Sequence, residues 1–157
     1  MIIVIPIQNF RTVASLTRCR RLFHCTMVET RMGYRIVDPE TIEPVADRPC
    51  ELRRLSEPAQ LSSVALNQFR AAPGEQIPLA YHYHEEQQEA FYVLSGTLSV
   101  ETPEKEISVS AGSLFVADAE SPHRAYNPAD ATADVTVLAL GTPAVSGDAF
   151  PSEPDNE

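Results

Sequence analysis

The sequence predicts an all-β fold, a sandwich or barrel built from short strands. Short runs rich in β-branched and aromatic residues recur between about residues 50 and 141. Turn residues such as Pro73-Gly74 separate these runs every eight to twelve residues, and no convincing amphipathic helix is found. A chain of 157 residues suits a single core. A double-sheet jelly roll satisfies this strand spacing.

Nine segments are expected to form the strands. In chain order they are 50–56, 63–69, 77–84, 90–96, 97–101, 106–110, 113–117, 122–127 and 134–141. The fourth, 90–96, is a mostly apolar run, which predicts burial on both faces. The next two alternate, so Leu98 and Val100 should face inward, as should Ile107 and Val109.

The ends of the chain differ in composition from the middle. Residues 1–31 are rich in arginine and contain one acidic residue, which predicts a disordered or non-native N-terminal extension. Residues 32–59 should form an extended N-terminal arm and the first strand, because Pro39, Pro44 and Pro49 disfavour helix in the arm. The barrel is then expected at 60–142. The acidic, proline-rich segment 143–157 predicts a disordered tail.

Charge narrows the classes of partner. The formal net charge is −10, and Lys105 is the single lysine. Such a surface repels nucleic acid and anionic lipid, and no apolar run is long enough to span a membrane. Acidic excess with so little lysine is typical of proteins from a salty cytoplasm, with an ordinary acidic domain as the alternative.

The cysteines indicate a reducing compartment. Cys19, Cys25 and Cys50 are an odd number with no Cys-x-x-Cys spacing, so unpaired thiols are expected. The apolar N-terminal run precedes the basic cluster, the reverse of a secretory signal. These features predict a cytoplasmic protein.

Three of the four histidines have the spacing of a metal site. His82 and His84 project from one face of a predicted strand, about 7 Å apart along the backbone. Four residues separate His84 from Glu89, enough for a turn that returns a carboxylate, and His123 arrives from another strand. Imidazole and carboxylate donors can share one cation.

These residues resemble the two motifs of the cupins. Gly74, His82, His84, Glu89 and Gly96 match the first motif, with seven rather than five residues in the first gap. The second motif is matched by three residues: Gly112, His123 and Asn127. Its Pro and Gly are replaced by Asp118 and Glu120, so the turn before His123 is expected to differ in shape.

The resemblance implies a double-stranded β-helix, the jelly-roll barrel that cupins share. It also implies one divalent transition metal, held by four ligands: His82, His84, Glu89 and His123. Imidazole donors favour Mn, Fe, Ni, Co or Zn over Mg or Ca. Such an ion could act as a Lewis acid, lower the pKa of bound water or, if redox-active, bring O₂ to a substrate. Glu89 could also serve as the catalytic base, as in some cupin dioxygenases.

Two functions remain open at this stage. One is a mononuclear oxygenase or isomerase acting on a small organic molecule, and the other is a metal-dependent binding or sensing module without turnover. Cupins are frequently homodimers, through sheet edges or an exchanged N-terminal arm, so a homodimer is expected.

Strand parity predicts the lining of the pocket. Phe91 and Val93 should face inward with Glu89, and Ala125 and Asn127 with His123, whereas Pro78 and Ala80 should align with His82. The cavity would therefore be mainly apolar around the metal. No lysine is expected near it, which disfavours a phosphorylated substrate.

Overall fold

Two five-stranded antiparallel sheets make up the fold. The computed structural model describes residues 33–154 of the protein. The strands are β1 Glu51–Arg54, β2 Ala65–Ala71, β3 Gln76–His84, β4 Gln88–Ser95, β5 Thr97–Glu101, β6 Glu106–Ser110, β7 Leu114–Ala117, β8 His123–Tyr126, β9 Val135–Thr142 and β10 Ala149–Pro151. One short helix, α1, spans Ser56–Ala59, and a 3₁₀ turn spans Pro39–Thr41. The first sheet has the order β1-β2-β9-β4-β7 and the second β10-β3-β8-β5-β6.

The two sheets face each other across one hydrophobic core. Phe91 and Val93 of β4 are fully buried, as are Leu98 and Val100 of β5 in the opposite sheet. The predicted inward residues of β4 and β5 are therefore confirmed, because alternate side chains of a strand share one face. The all-β jelly-roll barrel predicted from the strand spacing is also confirmed.

The outer face of β4 is not buried, which corrects one expectation. Tyr92 is 40% exposed and Leu94 48% exposed. On the neighbouring edge strand β7, Leu114 and Val116 are also exposed. We call these four residues the outer apolar patch. The apolar run of β4 reflects two apolar faces, only one of which is covered in the described part of the chain.

Strand β3 is irregular, and this changes which side chains align with the site. Its register against β8 shifts between Ile77 and His82. Ile77 and His82 are both buried although their parities differ. Ala80 is exposed whereas His82 is buried, and their expected alignment stays a prediction.

The N-terminal arm lies against β1 without joining either sheet. Arg53 Nη1 donates to the carbonyls of Pro39 and Ile42 at 2.9 and 2.8 Å, and Val45 N donates to the carbonyl of Leu52 at 2.8 Å. Val45 also packs on the core. The extension predicted at 1–31 lies outside the described residues.

The C-terminal segment contains a strand where the sequence predicts disorder. β10 pairs antiparallel with β3, and Ala149, Phe150 and Pro151 lie opposite His84, Tyr83 and His82. The composition of the segment does not predict this strand. β3 would otherwise be an open sheet edge, and β10 pairs with that edge. The disordered tail expected over 143–157 is therefore corrected at 149–151. No helix among the described residues has the length and apolarity needed to cross a membrane.

Candidate metal centre

The four predicted ligands come from three strands in both sheets. His82 and His84 lie on β3 and His123 begins β8, where His82 and His123 are register partners. Glu89 lies on β4 of the opposite sheet. The site therefore bridges the two sheets inside the barrel, and their packing sets the distance of the carboxylate from the imidazoles.

The three imidazoles converge on one oxygen of Glu89. Oε2 of Glu89 lies 3.3 Å from Nε2 of His84, 3.3 Å from Nε2 of His123 and 3.8 Å from Nε2 of His82. The ring centroids of His82 and His84 are 5.0 Å apart, and those of His82 and His123 are 4.8 Å apart. The structure thus brings all four predicted residues together.

Backbone carbonyls orient two of the three rings. His82 Nδ1 lies 2.9 Å from the carbonyl oxygen of Ala80, and His123 Nδ1 lies 3.0 Å from that of Ser121. A carbonyl accepts only, so each Nδ1 carries the proton in these contacts and each Nε2 keeps a lone pair. Those lone pairs are available for an ion beside Glu89.

Both ring nitrogens of His84 are buried, and neither makes a hydrogen bond of good geometry. A buried polar atom without such a bond is costly, so the arrangement favours a missing partner at this point. The neighbouring Glu89 carboxylate raises the pKa of His84 despite the opposing effect of burial, and Asp148 adds to the rise.

Glu89 is a buried carboxylate that stays ionised. Burial alone would raise its pKa, but the three imidazoles around it outweigh that effect and hold the pKa well below its usual range. The charged form persists because three imidazoles face one carboxylate. An anion with three inward nitrogens is the donor set of a transition-metal site.

The spacing of the donor atoms agrees with a single ion. Two ligands bound about 2.1 Å from one ion lie about 3.0 Å apart at a right angle and about 3.4 Å apart at the tetrahedral angle. The nitrogen–oxygen distances of 3.3 to 3.8 Å fall close to these values. The ligand atoms of His82, His84 and Glu89 all lie within 4.8 Å of one another. The residues therefore fit a bound transition metal.

A cavity of about 430 Å³ reaches the site between the edge strands β6 and β7. Ile107 and Phe115 supply apolar lining, and His123 lies at its inner limit. Lys105 also lines this cavity, contrary to the expectation that no lysine lies near the site. Lys105 lies in the turn 102–105, which lines the cavity. Alternation along the strands does not predict where this turn lies relative to the cavity.

Comparison with known proteins identifies the domain. The family model described as cupin domain matches residues 67–139. Residues 67–139 form a cupin domain. The match covers β2 to β9 apart from their ends and includes all four candidate ligands. No relative among curated protein sequences matches the chain significantly.

Solved structures agree with the cupin fold. A polyketide cyclase from Streptomyces resistomycificus is 19% identical, with a TM-score of 0.62 over 77% of this chain and 89% of its own. A predicted oxalate decarboxylase from Thermotoga maritima is 20% identical, with a TM-score of 0.58 over 69% and 98%. A sugar phosphate isomerase from Silicibacter pomeroyi is 24% identical, with a TM-score of 0.58 over 69% and 75%. At these identities the likeness establishes the fold alone.

The departure from the second cupin motif does not abolish the turn it encodes. Glu120, which replaces the motif glycine, has a φ of 63°. Its backbone N–H donates to the carbonyl of His84 at 2.6 Å, and Ser121 N donates to the carbonyl of Asp118 at 3.2 Å. The left-handed conformation that usually favours glycine is therefore present without it.

Asn127, the last residue of the second cupin motif, has a structural role. Its side chain is 1% exposed, and Nδ2 donates to the carbonyls of Ala71 and Ala133 at 3.0 and 2.9 Å. Both accepting carbonyls belong to neighbouring backbone. The amide ties β8 to the end of β2 and to the loop before β9.

Sequence reasoning missed one acidic residue close to the ligands. Asp148 Oδ2 lies 3.7 Å from Nδ1 of His84, and the Asp148 side chain is only 10% exposed. The residue lies in the segment expected to be disordered. The one available signal is Phe150, the single aromatic residue of that acidic segment, which stacks on Tyr83 with ring centroids 5.7 Å apart.

Proposed function

We propose that the protein is a mononuclear metal-dependent cupin enzyme, an oxygenase or isomerase acting on a small neutral or weakly acidic organic molecule. His82, His84, Glu89 and His123 would hold one Mn, Fe, Ni, Co or Zn ion. The observation that carries this proposal is the convergence of three Nε2 atoms on Oε2 of Glu89 at 3.3 to 3.8 Å, beside a cavity. The bound ion would supply Lewis acidity or redox chemistry to an oxygen ligand.

Two side chains beside the ion, Glu89 and Phe115, would have further roles. Glu89 is held ionised inside the barrel and is the proposed base, since a carboxylate beside the ion can accept a proton from a bound substrate. Phe115 lies 6.2 Å from the ring of His123 and would cover the inner end of the cavity against water. The cavity lining combines apolar side chains such as Ile107 and Phe115 with charged ones, which can orient a small organic ligand.

The charge of the cavity supports the choice of substrate class. Lys105 is the one basic lining residue other than His123, against Glu104, Asp118 and Glu120. Arg70 faces away and pairs with Asp134 at 2.9 Å. A phosphate group needs positive partners, and this lining is acidic. We therefore do not extend the sugar phosphate chemistry of the Silicibacter pomeroyi neighbour to this protein.

The test begins with metal content. The full-length protein, purified without added metal, should contain close to one equivalent of a transition metal by elemental analysis. His84→Ala should lose it, because one of three nitrogen donors is gone, whereas His24→Ala should retain it. Equal metal content in wild type and His84→Ala would contradict the proposed ligands.

Turnover is tested separately on the loaded protein. Oxygen consumption should be followed with diols, diketones and thiols, and isomerisation by product analysis. Turnover that Glu89→Gln abolishes is the expected outcome. A compound that raises the melting temperature of the loaded protein without being converted would instead favour the binding or sensing module.

We also propose the partners, the cellular location and the oligomeric state of the protein. A net charge of −10 supports small-molecule rather than nucleic-acid partners. The buried thiol of Cys50 is free, which is compatible with the proposed cytoplasmic location. The outer apolar patch supports the proposed homodimer, since contiguous exposed apolar surface often marks an interface.

A further inference from the structure

The three candidate imidazole ligands differ in what faces their outer nitrogen. His82 Nδ1 and His123 Nδ1 each meet a backbone carbonyl, at 2.9 and 3.0 Å. His84 Nδ1 makes no hydrogen bond of good geometry, and a carboxylate oxygen of Asp148 lies 3.7 Å from it. The third ring is thus faced by Asp148 of the C-terminal segment, whose side chain and backbone both interact with His84.

Asp148 is held in this position by the turn between two ligands. Its Oδ2 accepts from the backbone N–H of Gln87 at 2.9 Å, and both of its oxygens lie within 3.3 Å of the N–H of Glu86. That turn joins His84 to Glu89. The carboxylate is therefore fixed on one side by the backbone that sets the spacing of the ligands.

Contacts on both sides of Asp148 hold the segment in place. Before it, Gln87 Nε2 donates to the carbonyl of Pro143 at 2.8 Å. After it, β10 pairs with the ligand strand β3, and Ser152 N donates to the carbonyl of Tyr81 at 3.0 Å. Because these contacts span 143–152, the segment has one docked position that brings Asp148 to His84.

We propose that Asp148 is a positioning residue for His84, accepting its Nδ1–H so that Nε2 presents its lone pair to the metal. This inference rests on the metal site of the proposed function. A carboxylate that accepts from the outer nitrogen of a ligating imidazole fixes its tautomer and orientation and makes it a better donor. Asp148 would do this for His84 by closing from 3.7 Å to hydrogen-bond distance of Nδ1, the position that the Ala80 and Ser121 carbonyls already hold for the other two rings. Docking of the C-terminal segment thereby completes the site.

The test uses Co²⁺ as the probe on full-length protein stripped of metal. Asp148→Asn keeps the size of the side chain and an oxygen that can accept from Gln87 N, but it removes the carboxylate charge. We expect Co²⁺ affinity to fall about 10- to 100-fold, the usual effect of losing such a partner. The visible absorption of bound Co²⁺ should shift, while the melting temperature of the metal-free variant stays at the wild-type value.

Two further variants make the result decisive. Phe150→Ala removes the stack on Tyr83 but keeps the carboxylate, and it should weaken Co²⁺ binding through looser docking. Asp130→Asn removes an exposed charge from the loop before β9 and should bind Co²⁺ as the wild type does. Wild-type affinity and spectrum in Asp148→Asn would overturn the positioning role, as would an equal loss in Asp130→Asn. Failure of the wild type itself to bind Co²⁺ would instead refute the metal site and, with it, this inference.

Discussion

The side-chain amide of Asn127 donates to the backbone carbonyl of Ala71, 56 residues earlier in the chain, at 3.0 Å. A second hydrogen bond joins the same Nδ2 to the carbonyl of Ala133 at 2.9 Å. The side chain of Asn127 is buried, so its amide needs these acceptors. Asn127 therefore stabilises the barrel near the strand that carries His123.

Replacement of Asn127 should destabilise the metal-free protein. Asn127→Ala removes both donated hydrogen bonds, one of them to the buried residue Ala71, which should lower the free energy of unfolding by about 1–3 kcal/mol. Asn127→Asp keeps the shape but sets a carboxylate against those carbonyls, so its loss should be larger. Urea unfolding measures both. An Asn127→Asp variant as stable as the wild type would show that the two hydrogen bonds contribute nothing.

Two glycines offer a matched test of crowding in the barrel. Gly96 and Gly112 have φ values of 77° and 82°, so alanine is strained at either position. A Cβ at Gly96 would lie 2.6 Å from the carbonyl oxygen of Asp134, whereas one at Gly112 would meet nothing within 4 Å. Gly112→Ala should cost about 1 kcal/mol from backbone strain. Gly96→Ala should cost about 2–4 kcal/mol, because overpacking adds to that strain.

The same urea experiment separates strain from crowding. A similar loss in both variants would mean that the loop at Asp134 moves aside and that only strain is felt. The difference between the two losses therefore measures how rigidly the start of β9 is held.

Local alternation explains why much of the fold could be predicted. β5 has the predicted bounds of 97–101, since Leu98 and Val100 alternate with polar residues along the strand. Such a pattern depends only on near neighbours in the sequence. The spacing His82-x-His84 likewise places two side chains on one face without any knowledge of the partner strands.

Features set by distant pairing could not be read in this way. The irregularity of β3 arises from its register against β8, more than 40 residues later in the chain, and nothing near Ala80 signals it. The pairing of β10 with β3 depends on an open edge that the barrel creates. Asp148 approaches His84 through that pairing and through its contacts with Glu86 and Gln87. The missed features are therefore those that the assembled sheets impose on weakly patterned segments.

The thiol of Cys50 should make stability fall at alkaline pH. Burial, followed by the charges of Glu75 and Glu51, raises its pKa from 9.0 to about 11. Because the pKa of the thiol is raised in the native state, its contribution to the free energy of unfolding is full below about pH 9. That contribution is lost as the pH rises towards 11. The difference in unfolding free energy between wild type and Cys50→Ala should shrink over this window. Cys25→Ala, a control outside the described residues, should show no such trend.

The outer apolar patch should carry the proposed homodimer. Tyr92 and Leu114 are cross-strand partners on β4 and β7, with exposed fractions of 40% and 56%. Leu114→Glu places a charge in the patch and should give monomer in size-exclusion chromatography with light scattering. Ile36→Glu, on the 98% exposed arm, distinguishes the alternative. Loss of the dimer in Ile36→Glu alone would assign the interface to an exchanged arm.

Metal binding should weaken in acid, with an onset set by His84. A ligating imidazole must be neutral, so protons compete with the ion. The Glu89 carboxylate raises the pKa of His84 in the metal-free protein, and competition at this ring therefore begins above the ordinary value of 6.5. Glu89 stays ionised throughout because its own pKa is lowered. Affinity for Zn²⁺, measured by calorimetry between pH 8 and pH 5.5, should fall steadily as the pH drops. In Glu89→Gln the affinity should be weaker overall. Its decline should begin at lower pH, since the carboxylate charge that raises the pKa of His84 is absent. A wild-type affinity that is constant over this range would mean that His84 does not bind the ion.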